Sequence, residues 1–223
     1  MSDARYVTLT ADDGHRLQAY VARPEGEAKA GLVVIQEIFG VNGHIRAVAD
    51  GFAAKGFAVV APCLFDRVQP GIELGYTPDD VARGRELRGQ IAWDAAMLDI
   101  AAALKAAAAN GPAGVIGYCW GGSLAWLAAT RLNPAAAVCY YGAQIVQFKD
   151  ERPNCPVLMH FGERDASIPA ADREAIAAAQ PEVGIHVYPA GHGFSCTERK
   201  DFEPESARLA RERTLAFLGR HLA

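Results

Sequence analysis

At 223 residues, 51% of them hydrophobic and 22% charged, the chain has a globular makeup and enough length to bury a substantial core as one domain, residues 1–223. A formal net charge of −4 argues against a general nucleic-acid binder, and no run nears the roughly 18 apolar residues that a membrane span needs. Five widely spaced cysteines without a C-x-x-C pair argue against a disulfide framework or a zinc site, and indicate free thiols in a reducing cytoplasm.

Met1 to Arg5 lacks the basic-then-apolar pattern of a secretory leader. Residues about 5–10 and 16–22 read as two strands around the turn Asp12-Asp13-Gly14. Gly31 to Ile35 is a continuous apolar, β-branched run, the pattern of a strand covered on both faces. It ends at Gln36-Glu37-Ile38-Phe39-Gly40. A helix follows over about Gly43 to Lys55, stopped by Gly56, and then a second buried strand, Phe57 to Ala61, closed by Pro62. Cys63 to Pro78 is irregular, punctuated by Pro70, Gly71 and Gly75. One long helical stretch is expected over about Asp79 to Ala108, with Gly84 and Gly89 weakening its early part. Trp93, Met97, Ile100 and Leu104 lie on one face of it as a core stripe.

Next comes a short strand, Ala113 to Ile116, then Gly117-Tyr118-Cys119-Trp120-Gly121-Gly122, then a helix from Ser123 to about Leu132. Two further apolar runs cover Ala135 to Tyr141 and Pro156 to Phe161. A short helix fits about Ala170 to Ala179, a strand Gly184 to Tyr188, and a last helix about Glu203 to Leu222, with Pro204 in its first turn. Buried strands alternating with helices indicate an α/β fold, a mainly parallel central sheet with helices on both faces. Ligands of such sheets sit at the carboxyl ends of the strands.

The strand–turn–helix at Cys119 has the spacing of a nucleophile elbow, with small residues two before and two after the apex. The amides of the following helix favour a thiolate and any oxyanion formed beside it. A phosphate cradle fits poorly, since neither G-x-x-x-x-G-K-[ST] nor G-x-G-x-x-G is present. An ordinary buried cysteine stays open on the turn alone. Cys139 and Cys155, within apolar runs, read as core.

Asp165 follows the strand Pro156–Phe161 directly, and His192, in Ala190-Gly191-His192-Gly193-Phe194, follows Gly184–Tyr188. Both therefore emerge at the sheet edge that carries Cys119. The order nucleophile, acid, histidine is that of the α/β-hydrolase fold. The three types are complementary: a thiol is mostly protonated at neutral pH, histidine can take that proton, and a carboxylate fixes the imidazole tautomer. An Asx turn for Asp165 and a solvated His192 are the ordinary alternatives. His15, His44, His160, His186 and His221 lack a matching context. Glu37 ends a strand at the same edge, where it could approach Cys119. The Ile38 and Trp120 amides are placed as the two oxyanion donors of that fold.

Gln36-Glu37-Ile38-Phe39-Gly40-Val41-Asn42, the cysteine elbow, Tyr140-Tyr141-Gly142, Asp165 with Pro169, and Gly191-His192-Gly193-Phe194 together resemble the dienelactone hydrolases (carboxymethylenebutenolidases), over nearly the whole chain. The resemblance implies a Cys119–His192–Asp165 triad, Glu37 as a group that helps ionise the thiol, and cleavage of an enol-lactone or related ester without metal or cofactor. Phe39, Tyr140, Arg83 and Arg85 are the substrate-contact candidates. The family's dienelactone-cleaving members place an arginine shortly after the catalytic histidine; here that stretch reads Ser195-Cys196-Thr197, with no arginine before Arg199. A second family arginine falls near Val81, with Arg83 and Arg85 as stand-ins.

The leading expectation is a cysteine-dependent hydrolase of lactones or small esters, acting through a thioester acyl-enzyme. A generalist carboxylesterase or thioesterase, and a non-catalytic small-ligand binder of the same fold, are the alternatives. The expected partner is a small-molecule substrate, with neither nucleic acid nor membrane. The oligomeric state is open, a monomer being the simplest expectation.

Overall fold

Residues 5–222 are described by a computed structural model; residues 1–4 of the leader reading and Ala223 lie outside the described residues. Eight strands form one sheet in the order β1-β2-β4-β3-β5-β6-β7-β8. They are β1 (Arg5–Thr10), β2 (Arg16–Ala22), β3 (Ala30–Ile35), β4 (Phe57–Pro62), β5 (Ala113–Tyr118), β6 (Ala137–Tyr140), β7 (Val157–Gly162) and β8 (Gly184–Tyr188). β1 and β2 pair antiparallel, as do β2 and β4, and every pairing from β4 through to β8 is parallel. Every residue of β3 to β7 is buried, which is why these segments read as apolar runs, interrupted only by His160 in β7. β8 lies at the edge and is fully buried only at Tyr188, with Val187 exposed.

Among the described residues six α-helices accompany the sheet: α1 (Gly43–Ala53), α2 (Pro78–Gly89), α3 (Trp93–Ala107), α4 (Trp120–Arg131), α5 (Ala170–Ala179) and α6 (Pro204–His221). Two glycines show that both faces are covered. A Cβ on Gly31 would meet the Ala107 carbonyl oxygen of α3 at 2.2 Å, whereas one on Gly114 would meet Leu222, beyond α6, at 3.0 Å. Gly31 pairs with Ala113, and Gly114 is the next residue of β5, so the two point to opposite sides of the sheet. α3 and α4 pack together on one face. α1 is tied to α6 by Arg211, whose guanidinium lies 4.4 Å from the ring centre of Phe52.

The long helix expected over Asp79 to Ala108 is two helices. The break falls after Gly89, at Gln90 to Ala92, where the glycine weakens the ladder. Gly84 does not interrupt α2. It lets the helix sit on the Ile38 carbonyl, which a Cβ would approach to 2.1 Å. Thr77 and Asp80 form a capping box at the start of α2, with Pro78 in its first turn. In α3 the buried face runs through Ala96, Met97, Ile100, Ala103 and Ala107, while Trp93 and Leu104 are half-buried at its margins.

A polar chain crosses the core. His160 Nδ1 and Tyr188 Oη are 2.9 Å apart, His160 Nε2 and Thr214 Oγ1 3.0 Å, and Thr214 Oγ1 and Tyr140 Oη 2.7 Å. Each group finds a partner, as buried polar groups must. Among the described residues no helix is long and apolar enough to cross a membrane.

Candidate active site

The strand–turn–helix around Cys119 closes more tightly than any side chain beyond glycine allows. A Cβ on Gly117 would stand 1.8 Å from the Gly121 carbonyl oxygen, and one on Gly121 2.5 Å from the carbonyl oxygens of Ile35 and Gln36. Cys119 itself has φ 56° and ψ −116°, a conformation a non-glycine residue holds only when its surroundings impose it. Its backbone is fixed by a hydrogen bond from Cys119 N to the Tyr140 carbonyl, 3.0 Å. α4 begins at the next residue, so the thiol stands at a helix N-terminus. Trp120 is buried and stacks on Phe65, 5.9 Å between ring centres.

Cys119, His192 and Asp165, far apart in the chain, meet at the carboxyl edge of the sheet. His192 Nε2 lies 3.1 Å from Cys119 Sγ, and His192 Nδ1 lies 2.7 Å from Asp165 Oδ2. Asp165 is buried, and its other oxygen accepts from the Ser167 amide at 2.8 Å. Neither the Asx-turn nor the solvated alternative is the whole account: Asp165 makes the turn and holds the histidine. Burial alone would lower the His192 pKa. The Cys119 sulfur and the Asp165 carboxylate outweigh that and raise it to about 10. Burial acts on the other four thiols. Burial pushes Cys63 up to about 12 and both Cys155 and Cys196 to about 11, and it pushes Cys139 higher still. All five cysteines are free.

A cavity of about 210 Å³ opens on the thiol, lined by Ile38, Phe39, Arg85, Arg88, Arg199 and Gln144 together with Cys119, Trp120 and His192. Three arginines around one small hollow make it a receptor for negative charge. Two substrate-contact candidates are not there. Arg83 is turned outward, donating to Gln69 Oε1 and Glu86 Oε2 at 2.8 Å each, because it stands about half a turn round α2 from Val81, Arg85 and Arg88, which line the cavity. Tyr140 is core, with its hydroxyl on Thr214 and its ring stacked on Tyr118.

Arg88 and Arg199 have places in the cavity that the sequence reading did not give them. Arg88 was legible as the i+3 neighbour of Arg85 on one helix face. Arg199 was hidden by the winding of its loop. Cys196 N bonds to the Gly193 carbonyl, Arg199 N to that of Cys196, and Phe202 N to that of Arg199. Three residues per turn bring position 199 back to the side of position 196.

Glu37 is fully buried, but its carboxylate faces elsewhere than expected. Arg199 Nη1 stands 3.9 Å from Oε1, and the Tyr76 hydroxyl donates to Oε2 at 3.5 Å. Among the described residues the Cys119 sulfur bonds to His192, with no hydrogen bond to Glu37. Gln36 orients the next peptide: its Nε2 donates to the Glu37 carbonyl at 3.2 Å while its Oε1 accepts from Leu64 N at 3.0 Å. In a trans peptide the Ile38 N–H then points away from that held carbonyl.

Known proteins resemble the chain over nearly its whole length. The model of the dienelactone hydrolase family matches residues 17–222. A carboxymethylenebutenolidase of Pseudomonas putida is 34% identical, covering 95% of this chain and 94% of its own. An Azospirillum brasilense protein provisionally named for the same activity is 38% identical, covering 97% of this chain and 98% of its own. The crystal structure of a Klebsiella pneumoniae protein provisionally named a dienelactone hydrolase superposes with a TM-score of 0.85 at 30% identity, covering 98% of this chain and 99% of that one.

Proposed function

We propose that this chain, which belongs to the dienelactone hydrolase family, is a cysteine hydrolase of lactones or small esters that carry a carboxylate. The observation that carries the reading is the unbroken relay Cys119–His192–Asp165 at the mouth of a cavity walled by Arg85, Arg88 and Arg199.

In this mechanism the Cys119 thiol gives its proton to His192 Nε2, and the sulfur attacks the substrate carbonyl carbon. The carbonyl π pair moves to oxygen, which is met by the Ile38 and Trp120 amides. As the tetrahedral intermediate collapses, the bond to the ring or alcohol oxygen breaks and His192 returns its proton to that leaving oxygen. The product of this half-reaction is a thioester on Cys119. Water then attacks with His192 as base, and the acid is released with the thiol restored. Asp165 holds the imidazole in the tautomer that presents Nε2 to sulfur and stabilises the imidazolium. The arginines bind the substrate's remote carboxylate and so set the carbonyl against the sulfur. Five free thiols support a reducing compartment such as the cytoplasm.

A panel of carboxylate-bearing lactones and neutral short-chain esters, run on wild type and Cys119→Ala, tests the reading. Higher kcat/KM for the anionic lactones, and loss of all turnover in a folded Cys119→Ala, are expected. Preference for neutral esters would make the protein a generalist carboxylesterase; turnover by Cys119→Ala would remove the cysteine mechanism.

A further inference from the structure

Behind the Arg199 guanidinium, three ligand-bearing side chains converge from three separate segments. Glu37 follows β3, His44 is in the first turn of α1, and Cys196 is one turn before Arg199 in the loop after β8. One carboxylate oxygen, one imidazole nitrogen and one sulfur lie within 4.8 Å of one another, the one such grouping among the described residues. Glu37 and Cys196 are fully buried and His44 is 6% exposed. Two of the polar atoms, Glu37 Oε1 and His44 Nε2, have no hydrogen-bond partner among the described residues. Buried atoms of that kind are rare in folded proteins and call for an explanation.

Arg199 explains only part of it. At 3.9 Å its Nη1 is beyond hydrogen-bonding reach of Glu37 Oε1, and among the described residues no hydrogen bond from it reaches His44 Nε2. A cation would meet both demands. The donor types identify its class: neutral imidazole, thiolate and carboxylate together suit a borderline metal, whereas magnesium or calcium would be held by oxygens.

We propose that Glu37, His44 and Cys196 form a binding site for a divalent cation of the zinc class. On binding, the Cys196 S–H bond breaks, a sulfur–metal bond forms and the proton passes to water. Donor atoms within 4.8 Å of one another need close on the ion by only roughly half an ångström to reach metal–ligand bonds of about 2.0–2.3 Å. The occupied site draws Glu37 away from Arg199, and this coupling to the arginine wall rests on the proposed function. The binding itself does not.

Cobalt(II) is the probe, because a thiolate–cobalt bond announces itself by charge-transfer absorption in the near ultraviolet. Cys119 and His192 also place sulfur beside nitrogen, so the titration is made on Cys119→Ala as well as on wild type. The site predicts one cobalt per chain with the thiolate band in both proteins, displaced by zinc. The band should vanish in Cys119→Ala/Cys196→Ser, and cobalt affinity should fall at least ~10-fold in Cys119→Ala/His44→Gln. No thiolate band in a folded Cys119→Ala overturns the proposal, as does a band that survives Cys196→Ser. Should the Cys196→Ser protein fail to fold, unchanged cobalt affinity in the His44→Gln protein overturns it equally.

Discussion

Arg199 stands with its guanidinium 5.9 Å from the ring centre of Phe39 and its Nη1 3.9 Å from Glu37 Oε1, on the wall of the cavity that holds Cys119. Burial would lower the pKa of this arginine, but the charges of Glu37 and Cys119 raise it, so the cation persists where little water reaches it. A cation this loosely paired is available to a substrate carboxylate.

Arg199→Met should therefore act on anionic substrates. A charge-assisted hydrogen bond contributes about 1.5–3 kcal/mol, so kcat/KM for a carboxylate-bearing lactone should fall roughly 10- to 100-fold. Hydrolysis of a neutral ester of similar size should change little. Steady-state kinetics on the two substrates give the comparison, and equal losses on both would make Arg199 structural.

The His192 imidazolium should outlast neutral pH. Its charged form is favoured by Cys119 and Asp165, so protons leave the ring only near pH 10. Asp165→Asn removes one of those charges and must shift the titration downward, with kcat falling ~10²–10⁴-fold. A ring-proton NMR titration of both proteins reads the sign directly. An unchanged His192 titration in the variant would mean that Asp165 does not act on the ring.

Two glycine substitutions should move stability in opposite directions. Gly117→Ala drives a methyl onto the Gly121 carbonyl oxygen and should destabilise by the upper end of the ~1–3 kcal/mol typical of overpacking, or more. Gly219 lies in α6 with open space around its would-be Cβ, and Gly219→Ala should stabilise by up to about 1 kcal/mol. Urea unfolding of the pair checks both signs.

Those glycines also show how much of the molecule was readable from its residues. The spacing Gly117-x-Cys119-x-Gly121 states a steric requirement, so the elbow was legible, and so was its order relative to Asp165 and His192. The buried strands were legible because β3 to β7 are covered on both faces and are apolar almost throughout, His160 of β7 being the exception. What escaped depends on contacts between distant segments. Gly84 looked like a helix breaker, yet it is a contact surface for Ile38. Arg199 lies too far from His192 along the chain to suggest the site, and the turns of three in its loop bring it there. Glu37 was read from its proximity to the thiol's sheet edge, while its direction is set by Arg199 and Tyr76, neither of which adjoins it in sequence.

Acid should act on the chain through His160. Burial chiefly, with the charges of His186 and Arg213, lowers its pKa to about 3, against about 6.5 in an unfolded chain. Between those values the unfolded state binds a proton that the folded state refuses, so stability falls as pH falls, by about 1.4 kcal/mol per pH unit at most. His160→Gln removes that proton. The pH dependence of unfolding free energy should be shallower in the variant over this window, and identical slopes would show that His160 is protonated within the fold.

The central claim is that Cys119 carries the acyl group. A chromogenic ester mixed with the protein and quenched in acid during the burst allows the modified residue to be found by peptide mass mapping. The relay predicts the acyl mass on the peptide containing Cys119, absent from Cys119→Ala, and accumulating when deacylation is slowed. An acyl group on any other residue, or full turnover by protein whose Cys119 has been alkylated, would contradict it.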